Sequence, residues 1–112
     1  MKRQFQQLTI VRLRAPFTPA PDTDEDDQIQ AAHIAYLTDL REKGIVLLNG
    51  PVRRKDDQRF LGMTIYSVSL EEAREYAQND PGTKAGWFEI EADTWLLPSI
   101  PVMMGDRVDL EL

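Results

Sequence analysis

The sequence predicts a small α+β domain with its elements in the order β-α-β-β-α-β. Three observations carry that expectation. Residues 29–51, IQAAHIAYLTDLREKGIVLLNGP, read as an amphipathic helix, a glycine stop, an apolar strand and a Gly-Pro turn. Ser69-Leu70-Glu71-Glu72 is a capping box, with serine at the cap and glutamate three residues on, and opens a second helix. Residues 5–14, 60–68 and 86–97 are rich in β-branched, aromatic and alternating apolar residues, as strands are.

The first strand, FQQLTIVRLR, ends on Arg12 and Arg14. Pro16, Pro19 and Pro21 then break the pattern. Each fixes its backbone torsion and lacks a donor, so residues 15–24 form a loop, either a lid over a site or a surface connection. Helix one is expected to begin near Thr23, since Asp24, Glu25, Asp26 and Asp27 put negative charge on the first turn, where the helix dipole favours it. Asp22, Asp24 and Asp26 mimic alternate calcium ligands. A calcium loop of that kind is rejected, because its sixth position is Asp27 rather than glycine and its twelfth is His33 rather than glutamate. Arg41 and Lys43 in the last turn, with Gly44 beyond them, mark the C-terminus.

Strand two, IVLLN, is apolar without alternation, which implies burial on both faces and hence a partner subunit. Gly50-Pro51 ends it. Arg53, Arg54 and Lys55 are followed at once by Asp56 and Asp57, so this hairpin tip reads as a solvated, charge-balanced connection. After helix two, Asn79-Asp80-Pro81-Gly82 reads as a turn, and Asp80 there faces the unfavourable end of the helix dipole unless it meets a cation or a donor elsewhere. In the last strand Phe88, Ile90, Ala92 and Leu96 share one face; Glu89, Glu91 and Asp93 share the other. Trp87 and Trp95 bracket it, either stacking on a ligand or packing on a neighbour. GDRVDLEL alternates as a C-terminal strand too short to stand alone.

The 112 residues make one domain, with a core over 1–97 and an extension over 98–112. No stretch reaches the roughly 20 apolar residues of a membrane span, and no signal peptide is evident, so a cytoplasmic location is the default expectation. The chain has no cysteine, which excludes thiolate nucleophiles and zinc-thiolate sites. A net charge of −6 argues against nucleic acid as the partner. No Gly-x-Ser-x-Gly and no Gly-rich phosphate loop is present, and one histidine cannot build a His-rich metal site, so neither a cofactor nor a metal is expected.

The element order is the split βαβ, or ferredoxin-like, pattern. Right-handed crossovers then bring the Pro-rich loop, the start of helix one, Gly50-Pro51, the basic hairpin, Asp80-Pro81 and Gly86 to one end of the molecule. His33 lies within the apolar stripe formed by Ile29, Tyr36, Leu37 and Leu40. A buried imidazole needs a partner. Asp80 can approach it from the end of helix two, and Arg14, at the same end, is placed either to contact an anion or as a surface residue.

The series His33-x-x-Tyr36-Leu37, Gly44, Gly50-Pro51, Ser69-Leu70-Glu71-Glu72-Ala73, Asp80-Pro81, Gly86 and a Trp-bearing last strand resembles the YciI-like (YCII-related domain) family. The resemblance spans residues 5–97. It implies a dimeric α+β barrel in which two sheets face each other, and an active site on a His-Asp pair that falls here on His33 and Asp80. One relative in that family removes chloride from a chlorinated hydroxyquinol. The reading that follows is a cofactor-free acid-base enzyme, lyase- or isomerase-like, acting on a small aromatic or anionic molecule. His33 and Asp80 are its catalytic candidates, and Arg14, Tyr36, Gly50 and Pro51 its substrate-binding candidates. The competing reading is a noncatalytic dimeric module in which His33 and Asp80 only pin helix one to the turn.

Overall fold

In a computed structural model, which describes residues 5–98, the elements are β1 (Gln6–Arg14), α1 (Asp26–Glu42), β2 (Val46–Pro51), β3 (Phe60–Tyr66), α2 (Leu70–Gln78), α3 (Pro81–Lys84) and β4 (Glu89–Leu97). The four strands form one antiparallel sheet in the order β2-β3-β1-β4, which is the ferredoxin-like arrangement. The alternating C-terminal segment lies outside the described residues.

The register explains which side of the sheet is buried. Val11 stands opposite Thr64 on β3 and Ala92 on β4, and Thr9 opposite Tyr66. Val11, Val46 and Tyr66 then meet Leu37 and Leu40 of α1 and Ala73 and Ala77 of α2 in one core cluster. The two alanines let α2 lie close to the sheet. The alternate residues, Leu8, Ile10, Arg12 and Arg14, belong to the opposite face.

Several expectations hold in detail. Ser69 caps α2, its hydroxyl accepting from the Glu72 N–H at 3.3 Å. Gly44 follows the last helical turn of α1 at φ +75°, a left-handed conformation that glycine adopts without strain.

Other expectations are corrected. α1 begins at Asp26, not Thr23, because Thr23 and Asp26 bond to each other through Oγ1 and Oδ1 at 3.0 Å and hold the chain in a turn first. Within one chain β2 is covered on one face only, the other being the face expected to need a partner subunit. It is an edge strand, and a bulge between Val46 and Leu48 interrupts its pairing and leaves Leu47 and Leu48 exposed, Leu48 by 65%. β4 starts at Glu89 rather than Gly86, since Gly86 at φ +80° and the Trp87 N–H bonded to Gly82 O belong to the preceding turn. Alternation holds for Ile90 and Ala92, but Leu96 is exposed.

The stretch Asn79-Asp80-Pro81-Gly82 is more than a turn. Asp80 is extended, as a residue before proline prefers to be, and Pro81 opens the one-turn helix α3. That change of direction carries Asp80 away from the negative end of α2 and under α1. The Pro-rich loop is tied down from the other side. The Ala15 N–H donates to Arg59 O, Arg59 Nε donates back to Ala15 O, and the Arg59 guanidinium lies 3.5 Å from the centre of the Phe17 ring.

Candidate active site

His33 is on the second turn of α1 and points toward α3. Its Nδ1 lies 2.8 Å from both carboxylate oxygens of Asp80. Oδ1 of Asp80 also accepts the Gly82 N–H, at 2.8 Å. A carboxylate only accepts, so when the ring is neutral this contact calls for the proton on Nδ1 and leaves the lone pair on Nε2. The side chains are 14% and 5% exposed, so this contact is shielded from bulk water far better than a surface pair.

The local sequence explains why the pair forms. Pro81 forces Asp80 into the extended conformation, and the short Gly82 N–H reach then orients its carboxylate. A Cβ on Gly82 would come within 2.4 Å of the Phe88 ring, so glycine there lets Phe88 close over α3. Phe88 in turn packs tilted against the His33 imidazole, with ring centres 5.2 Å apart.

The imidazole forms part of the wall of a cavity of about 360 Å³, within the range of small-molecule sites. α1 contributes Gln30, Ile34 and Leu37; β2 contributes Asn49, Gly50 and Pro51; Phe88 contributes from before β4. The floor is open because two glycines meet there. A Cβ on Gly62 would lie 2.8 Å from the carbonyl oxygen of Gly50, so these strands approach as closely as they do only without a side chain.

The structure therefore brings together His33, Asp80, Gly50 and Pro51, as the topology predicts. It does not bring Arg14 or Tyr36 to this cavity. Tyr36 donates its hydroxyl to Tyr76 O at 2.7 Å and lines a separate cleft with Glu72, Glu75 and Asn79. The i, i+3 step from His33 turns it toward α2 rather than the sheet. Arg14, on the opposite sheet face, donates to Asp57 at 2.8 Å and approaches Glu91 at 3.5 Å. The Pro-rich loop does not line the cavity either, but packs beside Trp87.

Asn49, Gly62 and Phe88 are cavity residues that the sequence reading did not single out. A glycine inside a strand pattern is a signal of close backbone approach, and a lone amide ending an apolar run is a signal of a buried polar group. Phe88 carried no such signal. The two phenols nearest the pair are held protonated. Burial raises the Tyr36 and Tyr66 hydroxyls above the ordinary tyrosine value, with the Asp80 charge adding to both. Among the described residues no group of three His, Asp or Glu side chains converges to hold a metal ion.

A family model for the YCII-related domain matches residues 12–92. The chain belongs to the YCII-related domain family. No curated protein matches it. Among solved structures it is similar to the 5-chloro-2-hydroxyhydroquinone dehydrochlorinase of Burkholderia phenoliruptrix, captured in complex with 2,5-dihydroxybenzoquinone. Identity is 26% and the TM-score 0.56, over 79% of this chain and 92% of that one. Among the described residues no helix is long and apolar enough to cross a membrane.

Proposed function

We propose that this YCII-domain protein is a proton-transfer enzyme of the lyase or isomerase type that acts on a small aromatic or anionic molecule. The observation that carries the reading is the His33 ring, held through Nδ1 by a buried carboxylate while lining a cavity. A carboxylate on Nδ1 fixes the tautomer and the orientation of the ring, so that Nε2 is the nitrogen presented to a substrate. In an elimination from a chlorinated hydroxybenzene, the ring is first in its keto tautomer, with hydrogen and the leaving group on the same carbon, and Nε2 takes the proton of a remaining ring hydroxyl. The O–H electron pair becomes a C=O bond, the enol double bond shifts to the carbon bearing the leaving group, and the leaving group departs with the electrons of its own bond, leaving a quinone. Asp80 stabilises the imidazolium formed, so no charge is left unpaired in the shielded site. The neighbour's dehydrochlorinase activity supports a halide as leaving group and a hydroxylated ring as substrate.

The test is chloride release from chlorinated di- and trihydroxybenzenes by the wild type and by His33→Gln. General-base catalysis of this kind contributes about 100-fold or more, so the variant is expected to lose at least that factor. A variant that releases chloride at the wild-type rate defeats the proposal.

The assembly proposed with it is a homodimer through the sheet face that carries Leu8, Ile10, Met63 and Ile65. Leu48, whose partner on β3 is Ile65, and Trp95, whose partner on β1 is Leu8, support it by extending the apolar rows to both edges while remaining 65% and 43% exposed. Sedimentation velocity should give twice the chain mass; a monomer at micromolar concentration would refute it.

A further inference from the structure

Asn49 is the one polar side chain that closes the apolar run of β2. It stands opposite Thr64 on β3, and both residues line the cavity shared with His33. Its amide oxygen Oδ1 is buried and accepts no hydrogen bond among the described residues. A buried carbonyl oxygen without a donor is destabilising, and an apolar residue of the same size would remove that penalty at once. The position also needs no polar group to complete the sheet, because backbone pairing alone joins β2 to β3 there.

We infer that Asn49, half-buried on the cavity wall, is a ligand-binding residue whose amide turns its unpartnered Oδ1 into the cavity to accept a hydrogen bond from a hydroxyl or N–H group on the molecule that fills it. The inference rests on the reading of this cavity as the substrate site and narrows its substrate class. The rest of the wall is largely hydrocarbon, with Leu13, Ile34, Leu37, Pro51 and Phe88, and suits a ring-sized apolar body. A ring carrying a protonated hydroxyl satisfies both requirements. The same ring with that oxygen methylated keeps the apolar contacts and leaves Oδ1 unpaired. Selection is therefore against the methylated analogue, since a site built around a hydrogen bond rejects a ligand that cannot make it.

The probes are hydroquinone, kept reduced under nitrogen, and 1,4-dimethoxybenzene. Each is titrated into the full chain while the His33 ring resonances and the Asn49 side-chain amide are followed by NMR. In the wild type, hydroquinone should move both sets of signals and bind about tenfold more tightly than the dimethyl ether, as one net hydrogen bond allows. Asn49→Leu should bind the two probes equally, with hydroquinone weakened about tenfold, and should melt no lower than the wild type.

An Asn49→Leu protein that keeps the tenfold preference overturns the inference, as does one that melts clearly lower while binding hydroquinone normally. So does a wild type whose His33 and Asn49 signals ignore hydroquinone. His33→Gln separates this question from catalysis. If it still prefers hydroquinone but releases chloride at the wild-type rate, the proton-transfer reading fails and the ligand contact of Asn49 stands.

Discussion

Asp57 and Asp80 are each held by a basic side chain at 2.8 Å, and only the base that holds Asp80 lines the cavity. Asp80 meets His33 beneath α1, both side chains are largely shielded, and the imidazole opens on a cavity. Asp57 meets Arg14 at the end of β1, where Arg54 and the Arg59 N–H add to the favourable field and solvent reaches both partners. Distance is the same in the two pairs. Burial and the identity of the base differ: a guanidinium never gives up its proton near neutral pH, whereas an imidazole does. The comparison teaches that the surroundings of a contact, rather than its length, separate a structural brace from the pair proposed to transfer a proton.

Removing the buried carboxylate gives the largest expected effect. Asp80→Ala leaves the His33 Nδ1 proton and the Gly82 N–H without their acceptor and takes away the cap of α3. Hydrogen bonds to a charged group contribute about 1.5 to 3 kcal/mol each, so the loss should reach about 3 kcal/mol in urea unfolding. Asp80→Asn keeps an oxygen for Gly82 and should recover part of that stability. It should not recover activity, because an amide can no longer stabilise the imidazolium. An Asp80→Ala protein that unfolds at the wild-type urea concentration would make the buried pair no different from the exposed one.

Why one pair was easier to foresee than the other follows from what each depends on. The placement of His33 is a matter of helical period: it shares a stripe with Leu37 and Leu40, both of which are buried. Asp80 was placed by topology, since a right-handed crossover must return helix two beside helix one. What period and topology do not contain is the direction of the chain after Pro81. The sequence signals a break there, and the break turns out to start a helical turn that aims the carboxylate. Tyr36 shows the limit from the other side. Three residues from His33 it shares the apolar stripe, yet the stripe is wide enough to face both the cavity and α2, and Tyr36 bonds to α2. β2 shows a third limit. Nothing in the run IVLLN reveals a bulge at a sheet edge, and only the pairing with β3 shows it.

The exposed pair should respond weakly and only on the acid side. The hydrogen bond from Arg14 holds the Asp57 carboxyl below the usual aspartate value, opposed by partial burial and aided by the Arg14 charge, the Arg59 N–H and Arg54. A carboxyl depressed in the folded state stabilises the fold above its unfolded value, near 3.8, and that contribution is lost as pH falls through the lower, folded value. Arg14→Met removes the hydrogen bond and the charge while keeping a side chain beside Phe60, over which Arg14 now lies with its guanidinium carbon 5.8 Å from the ring centre. Its urea midpoint should therefore sit slightly below wild type at neutral pH, by several-fold less than the shift in Asp80→Ala. The gap should narrow as the pH drops below about 4, where the Asp57 of the unfolded chain is itself protonated. Added salt should shrink the neutral-pH gap as well, because partly exposed charges are screened. A gap that persists unchanged at low pH and high salt would mean that Arg14 braces β1 by packing alone, and the contrast with the buried pair would then rest on burial without any electrostatic part.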